Sequence, residues 1–280
     1  MADLQRLIQQ LVVPETRQQA YTALVAVGAP AVEPLIAAFE ATPTDFGQSQ
    51  IASALAAIGD DCAVPALKAW ARSSQPKTRQ SAVIALGAFG RDSQVPEMLR
   101  DIARHDPEFE VRLVAIGATG RAAGKEAAKA LWIELLNDPS EQAVATAALN
   151  ISGAFPGDPV VNEAMMATLR RPDVPRAALG WLIMGLGKSG DSRAFEAIAP
   201  FLRSADGQQR AHAADALGKL GDPRAVELLM PLRDDRAYAW EEDHGGPKYS
   251  VGDVVKQALD AINRQAKPDD PKPRRRWKLF

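Results

Sequence analysis

Arg210-Ala211-His212-Ala213-Ala214-Asp215-Ala216-Leu217-Gly218-Lys219-Leu220-Gly221-Asp222-Pro223-Arg224-Ala225-Val226-Glu227-Leu228-Leu229 is the stretch from which the fold can be read. Ala213, Leu217 and Leu220 stand eight, four and one residues before Gly221. Spacings of four and three put them on one face of a helix. Gly221 suits the left-handed position that stops a helix. Asp222-Pro223 then turns the chain, and Pro fits the first turn of a following helix because its missing N–H would be unpaired there anyway. A second apolar pattern opens with Val226 and Leu229. The stretch is one helical hairpin.

The hairpin recurs along the chain. Ala54-Leu55-Ala56-Ala57-Ile58-Gly59 and Ala85-Leu86-Gly87-Ala88-Phe89-Gly90 repeat Ala216 to Gly221. Closing glycines fall at Gly28, Gly59, Gly90, Gly153, Gly190 and Gly221, and three of the five intervals are 31 residues. The long interval from Gly90 to Gly153 holds one more copy, closed at Gly120 or Ala123. An eighth copy, Val255 to Asn263, carries Asn in place of Gly. The upstream apolar triads are Ala20, Leu24, Val27; Ile51, Leu55, Ile58; Ala82, Leu86, Phe89; and Val255, Leu259, Ile262. Second helices begin with Val32 and Ile36, Val64 and Leu67, and Val95 and Leu99. One pair cannot bury both of its apolar faces, but stacked pairs can, and the core becomes continuous.

These residues resemble the HEAT-like repeat of the phycobilisome-lyase type, most closely over Arg210 to Arg233. The likeness extends from Asp3 to about Gln265. It implies an all-α fold, a right-handed α-α superhelix of HEAT-like or armadillo type. About seven helix pairs and a terminal half-repeat are expected, with second helices lining a concave face. The expected organisation is one continuous solenoid, 1–265, with a long loop at 236–250, followed by a Pro-rich basic tail, 266–280. Members of this family include scaffolds, chromophore-lyase subunits and many bacterial proteins.

Composition agrees with a helical array. Of 280 residues, 46% are hydrophobic and only 6% aromatic. Alternating β-branched and aromatic runs are missing, which argues against a sheet protein. The net charge of −2 is unevenly spread: Ala266 to Phe280 holds six basic and two acidic residues, leaving the body at −6. An acidic body is a poor non-specific ligand for phosphate backbones. Cys62 is the one cysteine, so no internal disulfide can form. Met1 to Val13 does not read as a secretory signal, and no stretch approaches the ~18 apolar residues of a membrane span. A cytoplasmic setting is expected.

Two motifs need a structural context to mean anything. Gly185-Leu186-Gly187-Lys188-Ser189-Gly190 spells the dinucleotide pattern, but it closes a helix where the motif should open one. Small residues there fit close helix packing better. Arg17, Arg79 and Arg210 stand eleven residues before closing positions, as does Arg112 if Ala123 closes its copy. They are read as an inter-repeat ladder, each bonding carbonyls or an acid in the next turn. Of the histidines, His105, His212 and His244, none is followed by Glu, so the paired His-Glu iron ligands of the deoxyhypusine-hydroxylase type are missing. Cys62 sits before a second helix, whose N-terminus can lower a thiol pKa. A small turn residue is the simpler reading.

Interruptions of a repeat are where function is grafted. Between Gly221 and Asn263 about eleven extra residues fall in Arg236 to Ser250. This loop carries Tyr238, Trp240, His244 and Tyr249 beside Glu241, Glu242 and Asp243, with Gly245-Gly246-Pro247 forcing a turn. Aromatics and acids on an exposed loop suit partner contact; equally, Trp240 can fold back as a lid. Trp70 and Trp132 lie on second helices, facing the groove or its core. Arg72, Arg100, Arg104, Arg170, Arg171 and Arg203 lie near second-helix ends. Arg274, Arg275, Arg276 and Trp277 of the tail can meet an acidic partner, touch an anionic membrane weakly, or pack back on the acidic body.

The sequence therefore points to a non-enzymatic scaffold or adaptor that binds another protein on its concave face and C-terminal loop. The partner residues expected are Tyr238, Trp240, Glu241, Glu242, His244, Tyr249, Trp70 and Trp132. No catalytic residue, metal or cofactor is assigned, and nucleic acid is disfavoured. The family resemblance leaves two other readings: a subunit of a bilin lyase or tetrapyrrole-handling complex, and a HEAT-like DNA-binding or repair protein.

Overall fold

The computed structural model describes residues 2–42, 44–241 and 248–266. They form a HEAT/armadillo-type stack of helix pairs, divided into two compact units, Met1–Trp132 and Ile133–Phe280. In the first unit, α1 (Ala2–Leu11) precedes the pairs α2 (Arg17–Val27) with α3 (Val32–Ala41), α4 (Asp45–Ile58) with α5 (Val64–Trp70), and α6 (Pro76–Leu86) with α7 (Gln94–His105). Next comes α8 (Phe109–Ala123), paired with α9 (Lys125–Leu135). The second unit holds α10 (Glu141–Ala154) with α11 (Pro159–Leu169), α12 (Arg176–Lys188) with α13 (Ala194–Ile198), and α14 (Gly207–Leu220) with α15 (Ala225–Leu229). A hairpin of β1 (Tyr238–Glu241) and β2 (Lys248–Ser250) then leads into α16 (Val251–Ala266). The seven pairs and the unpaired α16 match the repeat count expected.

First helices stack on first helices: α4 on α6 and α6 on α8 in one unit, and α10, α12, α14 and α16 in succession in the other. Most of them share a leucine four places before the expected closing residue, though Leu149, four before Gly153, is 44% exposed. Leu24, Leu55, Leu86, Leu217 and Leu259 are all buried, and each removes a side chain from water at a gain of about 2 kcal/mol. The triads are otherwise buried or half-buried, except Val27, which is exposed at 41%. The glycine stripe in α12 acts as expected. A Cβ on Gly185 would meet Ser152 of α10 at 2.6 Å, and one on Gly187 would meet the Ala216 backbone of α14 at 2.5 Å. The pseudo-dinucleotide motif is a packing seam at a helix end.

The closing glycines need correction. Gly59 and Gly221 are left-handed, at φ 69° and 73°, and stop α4 and α14. Gly153 instead lies inside α10, and the positive φ falls on Gly157; Gly124, not Gly120 or Ala123, ends α8. Gly90 has no positive φ, because α6 ends early at Leu86.

Turn chemistry repeats as strictly as the apolar face. After five of the seven paired first helices, α2 and α8 excepted, an aspartate accepts the N–H two residues on: Asp60 from Cys62, Asp92 from Gln94, Asp158 from Val160, Asp191 from Arg193 and Asp222 from Arg224. This satisfies donors that a starting helix leaves without a partner.

The arginine ladder is present. Arg79, Arg112 and Arg210 each donate Nη1 to the carbonyl six residues back, on Ser73, Asp106 and Ser204. Arg79 and Arg210 also clamp an acid in the next turn, Asp106 and Asp235. Arg17 departs from the set and lies over the Phe46 ring, 5.8 Å from its centroid.

Candidate second-helix trough

Pro200 and Pro231 are one period apart in the second unit. A proline inside a helix removes a hydrogen bond and clashes with the preceding turn. Accordingly α13 and α15 stop after five residues each and continue as tighter 3-10 turns, Ala199–Arg203 and Met230–Leu232. Between these broken helices runs a trough of about 440 Å³. Its floor is Ala199, Pro200, Leu202, Leu228, Pro231 and Leu232, and its rim carries Glu196, Glu227 and Arg203.

The rim charges are ordered by the turns. Arg224 holds Asp222 at 2.7 Å, reaches Glu196 at 2.8 Å and covers the Phe195 ring at 4.1 Å. One repeat earlier, Arg193 holds Asp191 at 2.7 Å and reaches Glu163 at 3.4 Å. The Arg193 guanidinium pulls the Asp191 carboxyl down to about 2 against some opposition from burial, with the Arg193 amide and Asn162 adding to the effect. Arg224 lowers Asp222 in the same way.

The trough's lower end leads, through Arg233 to Ala237, into the hairpin. β1 and β2 are antiparallel, with Trp240 opposite Tyr249 and Tyr238 opposite Ser250. The hairpin is rooted where Arg210 clamps Asp235 at 2.8 Å, with the Val251 amide donating to the Ala237 carbonyl. Burial opposes the Asp235 charge, but Arg210 and the Ala237 amide outweigh it and keep the carboxyl below its usual range. Ala239 is buried and Tyr238 is 51% exposed. The loop foreseen at 236–250 is thus a β-ribbon at its described ends.

The residues expected at the site fall in different places. Tyr238 and Tyr249 are on the ribbon, as are the backbones of Trp240 and Glu241. Glu242 and His244 lie outside the described residues, as do Arg274, Arg275, Arg276 and Trp277. Trp132 is half-buried on α9. Trp70 is a correction: it is 8% exposed and stacked on Phe39, so it is core and offers almost no contact surface. Arg170 and Arg171 are tied to Glu163 and Asp173, Arg171 also donating to the Leu136 carbonyl. The Cys62 thiol is pushed up, chiefly by its bond with Asp60, the opposite of an activated thiol. Among the described residues no group of three or more His, Cys, Asp and Glu is placed to hold a metal. No single helix there is long and apolar enough to cross a membrane.

Sequence reasoning missed the trough acids. Those acids, Glu196 and Glu227, recur with Glu163 of α11 at the same place in three second helices, and that recurrence was the available signal. It also missed Trp181. Trp181 is 40% exposed on α12 and lines, with Met184, Gly180, His212 and the Arg176–Asp206 pair, a second concavity of about 640 Å³. Burial lowers the His212 pKa against the pull of Asp215 and Asp206.

The sequence profile of HEAT repeats matches residues 32–118 and 172–241, more than half of the chain. The chain belongs to the HEAT-repeat family. No curated protein matches the sequence of this HEAT-repeat protein. Among solved structures, YibA of Escherichia coli is similar at 18% identity and a TM-score of 0.57, with 93% of this chain and 92% of that one covered. Human deoxyhypusine hydroxylase is 22% identical, with a TM-score of 0.38 and coverage of 94% and 96%. The CpcE–CpcF complex of phycocyanin lyase from Nostoc sp. PCC7120 gives 20% identity, a TM-score of 0.38 and coverage of 81% and 92%. YibA attests the fold of this HEAT-repeat protein; the other two likenesses bear on no further argument.

Proposed function

We propose that this HEAT-repeat protein is a non-enzymatic scaffold that holds an extended segment of a partner protein in the second-helix trough of its second unit, with the ribbon at Tyr238 extending the contact. The observation that carries the reading is the trough itself. Two prolines one period apart open an apolar floor, and glutamates stand at its rim. Apolar anchors ringed by polar groups are the pattern of protein interfaces. The glutamates favour a partner segment carrying Lys or Arg beside its apolar anchors.

The test is photo-crosslinking from position 228 or 238 in the native cell, followed by a binding measurement on the captured protein. Leu228→Asp is expected to weaken that binding at least tenfold, and Tyr238→Ala to weaken it measurably, with both variants folded. Equal binding by wild type and both variants would remove the reading.

A further inference from the structure

The concavity at Trp181 supports an inference that does not rest on the trough. Its walls are first helices, whereas the trough is cut into second helices. Trp181 stands in the second turn of α12, and His212 holds the same place one period on, in α14. Met184, three residues after Trp181 and so on the same helix face, is half-buried. Gly180 makes room for the ring of the next helix: a Cβ there would meet His212 Cε1 at 2.9 Å and Nδ1 at 3.0 Å. Indole, thioether and imidazole thus share one surface. Glu141, in the first turn of α10, lines the same space, as do Arg176 and Asp206.

The charges at this place do not cancel. Asp206 is held by Arg176 at 2.6 Å. Burial keeps the His212 pKa below its usual value, against the pull of Asp215 and Asp206, so the imidazole adds no positive charge at neutral pH. Glu141 is exposed, and among the described residues no cation pairs with it. Nor does a described cation lie over Trp181, whereas Arg17 lies over Phe46, Arg112 over Phe109 and Arg224 over Phe195. A solvent-facing indole that shares a concavity with an unpaired carboxylate suits an organic cation: the ring face attracts positive charge, and the carboxylate accepts its N–H bonds.

The chain itself shows which cation such a seat prefers. Arg224 lies 4.1 Å over the Phe195 ring while its Nη1 donates to Glu196 at 2.8 Å. A planar guanidinium presents its face to a ring and its edge to a carboxylate at once, while a lysine ammonium is more strongly hydrated and has no face to stack. Ala177 and Met184 offer apolar surface to the methylene stem of an arginine. We propose that this concavity receives an arginine side chain of a partner protein, its guanidinium stacked on Trp181 and paired with Glu141.

The test is a nuclear magnetic resonance titration of the full chain, labelled at methionine methyls and indole nitrogens, with the peptide acetyl-Gly-Arg-Gly-amide. The Met184 methyl, assigned through Met184→Leu, and the Trp181 indole N–H, assigned through Trp181→Phe, are expected to shift together and to saturate. Glu141→Gln is expected to weaken the affinity about tenfold. Trp181→Leu, read on the methyl, is expected to weaken it about two- to fivefold. Leu228→Asp, in the trough, is expected to leave the titration unchanged, so this site and the trough can fail independently. A titration that does not saturate, or that Glu141→Gln leaves unaltered, overturns the proposal. So does an equal response to the same peptide with citrulline, which keeps the shape and loses the charge. An equal or stronger response to the lysine peptide or to tetramethylammonium would assign the seat to ammonium groups, and signals that move on dilution of the chain alone would assign it to a second copy; either result overturns the proposal.

Discussion

Phe39 and Trp70 stack ring on ring, with centroids 3.6 Å apart and planes within 8°. They are also one period apart in the sequence, at the same place in consecutive second helices. Repetition has set one aromatic on the other and so tied α3 to α5. Trp70→Ala is therefore expected to cost about 3–5 kcal/mol, the usual price of truncating a buried aromatic. A urea titration followed by circular dichroism reads this as a fall in midpoint. A midpoint unchanged in the variant would mean the stack is not part of the core. Any loss of partner binding in Trp70→Ala is expected to track unfolding of the first unit.

Tyr238→Ala is the complementary case. The ring is half-exposed at the base of the ribbon, and surface substitutions of this kind usually stay within about 0.5 kcal/mol. The thermal midpoint is expected to be unchanged while partner binding falls. A variant that unfolds early would make Tyr238 a structural lid.

What the sequence made legible was local and periodic. Leu24, Leu55, Leu86 and Leu217 announce one helix face because four-residue spacing is a property of the helix itself. Gly153 misled because a glycine within the last turn of an Ala-rich helix reads like one that ends it: α10 runs on to Ala154, and the positive φ falls on Gly157 after Pro156. Trp70 is open to groove or core in the sequence, and its place among the expected contact residues fails, because a single tryptophan on a second helix gives no direction. Setting it beside Phe39, one period back, shows the column they form. The ribbon was hidden because Tyr238-Ala239-Trp240 and Lys248-Tyr249-Ser250 are too short for alternation to stand out. The trough depended on reading Pro200 and Pro231 as a pair, and its acids on reading Glu196 and Glu227 as the same position one period apart.

Asp191 gives a pH prediction. Its carboxyl is held at about 2, mainly by Arg193, against an ordinary 3.8. A group depressed on folding stabilises the fold above its unfolded pKa, and that stabilisation is lost as pH falls through the folded value. Stability from this pair is thus expected to be full above about pH 5 and to drain between about pH 4 and pH 2. Denaturant midpoints of wild type and Asp191→Asn should converge across that window. A gap as wide at pH 2 as at pH 6 would contradict the linkage.

Two glycines separate packing from propensity. Gly153 lies within α10 with no atom within 4 Å of a would-be Cβ, so Gly153→Ala is expected to stabilise by up to ~1 kcal/mol through helix propensity alone. Gly187 lies within α12, but its Cβ would meet the Ala216 backbone at 2.5 Å. Overpacking of about 1–3 kcal/mol exceeds the same propensity gain, and Gly187→Ala is expected to destabilise. Thermal melts of the two variants should move in opposite directions. Movement in the same direction would show that α12 and α14 are not in close contact.

Arg79 supplies the largest electrostatic prediction. Its Nε and Nη2 donate to the two carboxylate oxygens of Asp106, both at 2.8 Å, while Nη1 donates to the Ser73 and Ser74 carbonyls. The side chains are 10% and 6% exposed. Burial alone would raise the Asp106 pKa, yet Arg79 and the Glu108 amide overcome it and leave the carboxyl below its usual range. Removing the guanidinium strands a buried carboxylate and two carbonyls, which typically costs about 3–5 kcal/mol. Lysine keeps the charge but lacks the planar fork for two parallel bonds, so Arg79→Lys is expected to recover only a minor part of the loss. Double replacement of Arg79 and Asp106 by apolar residues of similar volume is expected to be milder than Arg79→Ala alone, since no charge is left unpaired. Denaturation midpoints of the three variants give the order, and a double variant worse than the single one would show that the pair stabilises the turn beyond merely cancelling its own burial.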